Sequence, residues 1–192
     1  VRVVGQPKVN AIEVRWIAAA GAPTPTRTPT PQPSPYVRRV NSGGPAYSDT
    51  EAKQWVEDQP FNGSWGWWYG GSAGSTAAAI ANTDDDTLYQ SYHTWPASAT
   101  PGYRFVIPNG NYQVTLRFAE PAHNGPGQRR FDIKLEGITV ESGFDIYAAA
   151  GAMNAAVDRV YTVAVNDGQL NIAFLQVIGG PLVNAVEVQE LP

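Results

Sequence analysis

The fold is decided by Tyr112-Gln113-Val114-Thr115-Leu116-Arg117-Phe118-Ala119, a stretch in which large apolar side chains occupy every second position. A period of two is typical of a β-strand that buries one of its faces. Three further runs alternate in the same way, at residues 131–135, 161–165 and 170–174. Several short strands without a long amphipathic helix predict an all-β fold, an antiparallel β-sandwich.

Short turn signals separate these runs. The pairs Asn109-Gly110, Glu136-Gly137 and Asp167-Gly168 lie between them. Such X-Gly pairs accept the positive φ angles of tight turns, so each pair predicts a β-hairpin. The alanine-rich residues 77–81 and 148–156 are predicted to form short helical turns.

The composition limits the function classes that are open to the chain. Its 192 residues contain no cysteine, which excludes a disulfide scaffold and a thiolate metal site. A formal net charge of −4 argues against a nucleic-acid partner, because phosphate binding depends on clustered Lys and Arg. No apolar run approaches the ~20 residues that span a bilayer, so no membrane insertion is expected.

Residues 21–35 are rich in proline and threonine, with six prolines in fifteen positions. Proline fixes φ and lacks a backbone donor, so the segment is predicted to be a semi-rigid, polyproline-II-like linker. Alternating Thr and Pro is typical of glycosylated stalks between secreted modules. The composition therefore favours an extracellular or cell-surface location.

Residues 5–14 repeat residues 179–188, with seven of ten positions identical at an offset of 174 residues. A repeat at the spacing of one domain plus one linker is the signature of a tandem array. Residues 1–20 are therefore predicted to be the terminal strand of a preceding repeat. The linker at 21–35 and one complete domain at 36–192 follow it.

The same terminal segment supports an alternative hypothesis, a structural subunit of an extracellular filament. Residues 1–17 are apolar enough to need burial, and such a strand adds to a sheet edge of its own domain or of a neighbouring copy. Repeated head to tail, strand addition between copies builds an open filament. The side chains expected in this assembly strand are Val3, Val9, Ile12, Val14 and Trp16.

Residues 49–95 hold five of the six tryptophans in an irregular, glycine-rich pattern. Loops rarely bury so many rings, so about half of these aromatics are expected to form a binding surface for sugars. An indole or phenol stacks on the C–H face of a pyranose, while polar side chains bind its hydroxyls. Trp55 and Phe61 are expected in the core. The rings predicted to be hard to bury together are Trp65, Trp67 and Trp68.

A series of motifs runs in order along residues 36–192. It begins with Asn41-Ser42-Gly43-Gly44, Tyr47, Asp49 and Trp55-Val56-Glu57-Asp58. It continues with Leu88-Tyr89-Gln90, Phe118-Ala119-Glu120 and Phe144-Asp145-Ile146, and it ends with Asn184-Ala185-Val186-Glu187-Val188. Together these motifs resemble the malectin and malectin-like carbohydrate-binding domains. The resemblance implies a jelly-roll-like β-sandwich whose loops at one end bind glucose-containing oligosaccharides.

The resemblance also implies a binding site made of aromatic rings and one carboxylate. Position by position, the rings are Tyr47, the Trp67-Trp68-Tyr69 loop, and Tyr92 or Trp95, and the carboxylate is Asp145. The chain departs from the family pattern in two places. The second loop is richer in Trp, and residues 121–127 lack the aromatics often found there, so the resemblance does not fix a diglucose specificity.

The leading hypothesis is non-catalytic binding of a glucan-type oligo- or polysaccharide by a malectin-like module of an extracellular tandem-repeat protein.

Two catalytic alternatives are weighed against it. The G-x-S-x-G elbow is matched by Gly70-Gly71-Ser72-Ala73-Gly74, but that elbow needs a strand before it, a helix after it and an α/β sheet. Glu120 with Asp132 or Asp145 is a conceivable glycosidase pair. Neither arrangement is favoured, so the protein is not predicted to be an enzyme.

No cofactor is expected. His93 and His123 stand without a carboxylate at ligand spacing. Asp84-Asp85-Asp86 offers oxygen ligands to Ca²⁺, although a polar turn is the favoured interpretation.

Structural roles are predicted for three further polar side chains. Asn184 is expected to be a buried amide that binds backbone groups, and Asp49 and Asp58 are expected to cap loops.

Overall fold

The computed structural model describes residues 35–96 and 101–192. The predicted terminal strand, its five assembly side chains and nearly all of the predicted linker lie outside the described residues. Within the two described ranges, no helix has both the length and the apolar character needed to cross a membrane.

The described residues form fourteen strands and two short helices. The strands are β1 (Val37–Asn41), β2 (Tyr47–Ser48), β3 (Gln54–Glu57), β4 (Trp65–Trp68), β5 (Ser72–Ser75), β6 (Ser91–Thr94), β7 (Gly102–Val106), β8 (Gly110–Ala119), β9 (Arg130–Leu135), β10 (Ile138–Phe144), β11 (Ala156–Val165), β12 (Gln169–Ile178), β13 (Leu182–Val183) and β14 (Ala185–Glu190). The helices are α1 (Asp86–Gln90) and α2 (Ile146–Ala150).

These strands form two large sheets and one small sheet. The large sheets have the orders β11-β8-β14-β1-β3-β2 and β10-β9-β12-β7-β4, and the small sheet has the order β13-β6-β5. Pairing among the described strands is antiparallel except between β1 and β3, which run parallel. Side chains from both large sheets share one core, so the sheets pack face to face. The predicted all-β, antiparallel sandwich is confirmed.

The alternation of β8 positions the centre of that core. Tyr112, Val114, Leu116 and Phe118 are completely buried, and the Phe118 ring lies 6.0 Å from the Phe131 ring of the opposite sheet. Strands β9 and β12 bury alternate positions in the same way. In β11 the predicted inward positions are only half-buried until Val165, because β11 is the edge strand of its sheet.

One of the three predicted hairpins is confirmed and two are wrong. Glu136 and Gly137 have φ angles of 50° and 77° and join the paired strands β9 and β10, as a two-residue hairpin requires. The pair 109–110 instead leads from β7 into β8, and the pair 167–168 leads from β11 into β12. In both cases the strands belong to different sheets. A turn signal identifies a sharp change of direction but not the partner of the next strand.

The prediction of a helical turn at residues 77–81 is wrong. Ala81 forms a bridge with Ala155, and Thr76 donates its amide to the Gln90 carbonyl, so the segment is held by distant chain. The second alanine-rich segment is helical only in its first part. Helix α2 ends at Ala150, where Gly151 adopts a φ of 83°, and β11 begins at Ala156.

Candidate functional site

An open cavity of about 480 Å³ lies beside the small sheet and contains one of the predicted binding rings. Its walls come from the β1–β2 connection, the end of β3, strand β4, the start of β5 and strand β6. We call it the Trp67 cavity. The lining residues are Gly43, Gly44, Pro45, Glu57, Asp58, Pro60, Trp67, Gly71, Ser72, Ala73 and His93.

The floor of the Trp67 cavity is held by the Asp58 carboxylate, whose side chain is only 6% exposed. One of its oxygens accepts hydrogen bonds from the Gly43 amide and from His93 Nδ1, both at 2.8 Å. The other accepts from the Tyr103 hydroxyl at 2.8 Å and from the Gln59 amide at 3.0 Å. With four donors around it, Asp58 positions the cavity walls and has little capacity left for a ligand. Its predicted role as a loop cap is confirmed.

The hydroxyl of Tyr103 is a permanent donor to this carboxylate. Burial, with a smaller contribution from the negative charge of Asp58, raises the pKa of Tyr103 well above its usual value. The hydroxyl therefore keeps its proton over the whole physiological range. This bond ties the cavity floor to β7 and hence to the main core.

His93 fixes the orientation of the Trp67 ring. The imidazole lies between two indoles, with ring centroids 4.8 Å from Trp67 and 4.5 Å from Trp95. Its Nδ1 atom bonds to Asp58, and its Nε2 atom lies 3.2 Å from the Gly70 carbonyl oxygen. The bond from Nδ1 to the Asp58 carboxylate holds the imidazole in place, so His93 supports Trp67 from behind. The remaining exposed part of the indole lines the cavity.

Two polar side chains of the lining are available for a ligand. Glu57 is exposed, and neither its carboxylate nor the Ser72 hydroxyl bonds to another described residue. No lysine or arginine belongs to the described lining, so the charge of the cavity is negative. An indole surface beside a free carboxylate and a hydroxyl suits a neutral ligand with one apolar face and several hydroxyl donors.

The neighbouring aromatics of β4 point in different directions. Trp65 was predicted to be hard to bury together with the other two tryptophans, and the structure corrects this. Its side chain is 8% exposed and its ring stacks on the Phe105 ring at 6.4 Å, because pairing with β7 places it on the inner face of the sheet. Trp68 lies on the opposite face of β4 from Trp67, with its ring 4.3 Å from the Arg104 guanidinium. Tyr69 follows with a φ of 61° and is 68% exposed.

Glycine is required within β4 at one position. A Cβ atom on Gly66 would lie 2.6 Å from backbone atoms of Pro60 and Phe61, and its φ is 139°. The close approach lets the β3–β4 connection pack on β4 and brings Pro60 to the cavity.

Phe61 was expected in the core and is instead half-buried, with its ring 5.4 Å from Arg104. Trp55 is in the core as predicted.

The other predicted rings do not line the Trp67 cavity. Tyr47 packs against a second buried cluster and donates its hydroxyl to Asp85 at 3.2 Å. Tyr92 is half-buried against the main core, and strand alternation places it on the face of β6 opposite His93. Trp95 is 1% exposed inside the core, so it has no ring surface to offer a ligand.

The predicted ligand carboxylate Asp145 lies at the N-terminus of α2. It accepts from the Ala148 amide at 2.9 Å, as a helix cap does, and from the Gly127 amide at 2.5 Å. It is not among the residues that line the Trp67 cavity. The structure therefore does not bring Asp145 together with Trp67.

The catalytic and metal alternatives lack their required geometry. Ser72 begins strand β5, so the helix that must follow a nucleophile elbow is missing at this position. Glu120 is buried in an ion pair with Arg129 at 2.7 Å, and Asp132 accepts from Ser142 and Gly143. Across the described ranges, no three His, Asp or Glu side chains are grouped closely enough to hold a metal ion.

Sequence reasoning missed the link between Asp58 and His93. The two residues are 35 positions apart and meet only because β3 and β6 flank the same cavity. The sequence did correctly predict the structural roles of Asn184 and Asp49. Asn184 binds three backbone groups, and Asp49 accepts from the amides of residues 51 and 53 and from the Trp55 indole.

A larger cavity of about 580 Å³ lies between the edge strands β10 and β11. Its walls are mostly aliphatic, with Leu135, Ile138, Val140 and Val163 among them. No aromatic side chain belongs to this described lining, so the cavity has no stacking surface for a sugar ring. The Trp67 cavity is the better candidate for a ligand site.

A two-sheet β-sandwich with an aromatic-lined cavity beside its connecting loops defines a ligand-binding module. The malectin domain family matches residues 36–190, and the chain belongs to that family. Malectin domains are carbohydrate-binding modules without catalytic activity of their own.

Similar proteins place this module in larger chains. A probable LRR receptor-like serine/threonine-protein kinase of Arabidopsis thaliana is 34% identical over 132 residues, which are 58% of this chain and 13% of the kinase. Human malectin is 29% identical over 135 residues, which cover 69% of this chain and 44% of malectin. The chain thus spans less than half of each relative.

The fold of this chain is also similar to one part of a solved enzyme structure. The β-glucuronidase of Bacteroides uniformis aligns with a TM-score of 0.74 and 26% identity. The alignment covers 82% of this chain and 18% of the enzyme. The likeness therefore describes a shared domain fold within a longer protein.

Proposed function

We propose that this domain binds neutral, glucan-type oligosaccharides in the Trp67 cavity, without catalysis and outside the cell. The observation that carries the proposal is the partly exposed Trp67 indole in the wall of a cavity that also presents Glu57 and Ser72. The family supplies the class of ligand, and the cavity supplies a site for it.

The proposed binding mode assigns one role to each side chain. The Trp67 indole stacks on the C–H face of one pyranose ring, an apolar contact that excludes water. The Glu57 carboxylate and the Ser72 hydroxyl accept hydrogen bonds from sugar hydroxyls at the rim. Asp58 and His93 do not touch the sugar and act as positioning residues.

The extracellular location rests on relatives and on composition. Malectin-like domains form ectodomains of homologous receptor kinases. The Pro/Thr-rich residues 21–35 have the composition of a stalk between secreted modules. Both observations favour a module that meets polysaccharides or glycans outside the cell.

The cavity size favours a short sugar segment. Its volume of about 480 Å³ falls in the lower part of the range of small-ligand pockets, about 300–1,000 Å³. Because the cavity is open, a longer chain can continue past the residue stacked on Trp67. We therefore expect the domain to recognise one or two sugar residues of an oligosaccharide.

The test is calorimetric titration of the full chain with glucose disaccharides of different α and β linkages. Trp67→Ala is expected to abolish binding, a loss of at least about 2 kcal/mol from a central aromatic contact. Trp68→Ala is the matched control, since it removes the adjacent indole on the opposite face of β4 and should leave affinity within about twofold.

Circular dichroism must show that both variants are folded. Retained affinity in Trp67→Ala would refute the site. Loss of affinity only in Trp68→Ala would move it to the surface of Trp68, Tyr69 and Arg104.

A further inference from the structure

The last strand of the six-stranded sheet, β11, has one unpaired side. Its ten residues pair with β8 in unbroken antiparallel register, and no other described strand lies beyond it. In such a pair every second residue directs its N–H and C=O groups away from the neighbouring strand. Only the start of β11 is covered, since the Ala156 amide donates to the Ala81 carbonyl and the Asp158 carbonyl accepts from the Arg159 guanidinium. Residues 160–165, which we call the free edge, have no such cover among the described residues.

The free edge lacks the features that usually protect the edge of a sheet. Those features are charged side chains, prolines and β-bulges. The sequence Val160-Tyr161-Thr162-Val163-Ala164-Val165 contains no charge and no proline, and its register with β8 has no shift. The edge strand of the other sheet, β10, differs, because its register with β9 shifts on both sides of Glu141. The backbone of β11 is therefore the better template for an added strand.

The larger cavity, which we call the edge cavity, lies directly beside the free edge. Its volume of about 580 Å³ is sufficient for one or more side chains of a ligand. The small and aliphatic residues of its lining are Leu135, Ile138, Val140, Val163 and Ala164. Ile138 is 70% exposed, although its backbone pairs with the buried Leu135. The protein does not fill this apolar space with its own described side chains, so an aliphatic group of a ligand has a place there.

A polar contact closes one end of the edge cavity. The Glu141 carboxylate of β10 accepts from the Tyr161 hydroxyl at 2.5 Å and from Arg159 Nε at 3.0 Å, both of β11. These three residues follow directly on the lining residues along the two strands. The charge of Glu141 is therefore balanced within the protein.

The other end of the edge cavity is acidic and unbalanced. Glu136 and Asp167 belong to the lining, which contains no lysine or arginine, and neither forms an ion pair with a described residue. Each carboxylate accepts from a backbone amide through one oxygen, Glu136 from Asn171 at 2.6 Å and Asp167 from Gln169 at 3.0 Å. The second oxygen of each bonds to no described residue. A lysine or arginine of a ligand would supply the missing counter-charge.

We propose that the free edge binds an extended peptide segment of a partner protein by strand addition. Backbone hydrogen bonds to β11 hold the segment, and its alternate side chains point toward the edge cavity. One aliphatic side chain fills that cavity, and a Lys or Arg lies beside Glu136 and Asp167. The free edge of a second copy carries no cation, so it would match the apolar walls but not the two carboxylates.

The first test measures binding of a labelled peptide, Lys-Val-Thr-Val-Thr-Val-Lys, to the full chain by fluorescence anisotropy. The lysines at both ends allow either direction of entry. We expect saturable binding with a dissociation constant below about 1 mM, and its absence would overturn the proposal.

Two derivatives of the peptide distinguish strand addition from contact through side chains alone. N-methylation of the three valines and N-methylation of the two threonines remove backbone donors from opposite sides of the strand. Only one of these derivatives should lose affinity, by at least about tenfold, while the other stays within about threefold. An equal effect of both would overturn the proposal.

Variants of the protein test the two ends of the edge cavity. Ile138→Lys places a cation in the apolar wall and should weaken binding at least about tenfold. Val106→Lys is the matched control, since Val106 is a 49% exposed valine outside the lining, and should change affinity less than about twofold. The double variant Glu136→Gln, Asp167→Asn should weaken binding about three- to tenfold. It should not weaken binding of the same peptide with Gln in place of Lys.

Circular dichroism must show that these variants are folded. Unchanged affinity in Ile138→Lys would place the peptide elsewhere and overturn the site.

Hydrogen exchange gives a readout on the free edge itself. Peptide binding should protect about three of its six amides, the ones directed away from β8. Protection that instead rises with protein concentration, without peptide, would assign the free edge to a second copy and overturn the proposed partner. The Trp67→Ala variant should bind the peptide as the parent does, so the outcome is independent of sugar binding at the Trp67 cavity.

Discussion

Replacing Asp58 by asparagine is expected to lower the free energy of unfolding by about 3–6 kcal/mol, because two buried donors lose a charged acceptor at about 1.5–3 kcal/mol each. The carboxylate accepts two hydrogen bonds at each oxygen, and the asparagine amide nitrogen accepts none. Whichever way the amide is placed, it faces two groups that donate in the native protein. The substitution changes shape very little, so the loss reports the hydrogen bonds themselves.

The two orientations of the new amide have different consequences. If its nitrogen replaces the oxygen near Gln59, the Tyr103 hydroxyl can rotate and accept from it, which recovers part of the loss. If it replaces the oxygen near Gly43, the His93 ring can adopt its other tautomer, in which Nδ1 accepts from the new amide and Nε2 donates to the Gly70 carbonyl. In either orientation one backbone amide, that of Gln59 or that of Gly43, is left without its acceptor, so we expect a stability loss near the lower end of the range.

The assay is urea unfolding followed by circular dichroism, with Glu57→Gln as the matched control. Glu57 is the adjacent carboxylate and bonds to no other described residue, so its replacement should change stability by less than about 0.5 kcal/mol. A loss below about 1 kcal/mol in Asp58→Asn would refute the view that this carboxylate holds the cavity floor.

Two further predictions concern the core. Asn184→Leu leaves one amide and two carbonyl groups without their partner and should cost at least about 3 kcal/mol; a thermal melt that matches the parent would contradict this. Burial raises the pKa values of Tyr89 and Tyr103, with smaller contributions from Asp158 and Asp58 respectively. In the unfolded chain these two phenols ionise near pH 10, whereas in the folded protein they ionise at higher pH. Their contribution to the free energy of unfolding is therefore fully present below pH about 10 and falls as the pH rises above it. Urea titrations from pH 8 to 11.5 should show this fall, with a smaller slope in Tyr89→Phe, and equal slopes would contradict the assignment.

The sequence predicts the strands of this fold because burial of one face leaves a two-residue period. The large apolar side chains on the Leu116 face of β8 are all buried, and on the other face Thr115 and Ala119 are buried as well. The pairing of strands leaves no such local trace. Asn109-Gly110 has the composition of a hairpin turn, yet it carries the chain to the other sheet, where β8 meets β11 and β14.

The candidate site was predictable only in part, for a related reason. Glycine-flanked tryptophans indicate an aromatic surface, but the exposure of each ring depends on the side chains that pack around it. Trp65 stacks on Phe105 and is buried, whereas Trp67, two positions later in β4, packs against His93 and reaches a cavity wall. The support of Trp67 by His93 and Asp58 depends on contacts between distant segments, which no local pattern contains.

The saturated hydrogen bonding of Asp58 has a consequence for how such a site can diversify. The walls of the cavity are fixed before any ligand arrives, so little conformational entropy is lost on association. In the proposed site, selectivity is then left to the rim, at Glu57 and Ser72, where substitutions disturb no buried network. Under the proposed function, substitutions at the rim can therefore change which sugar is bound while the buried network around Asp58 stays the same.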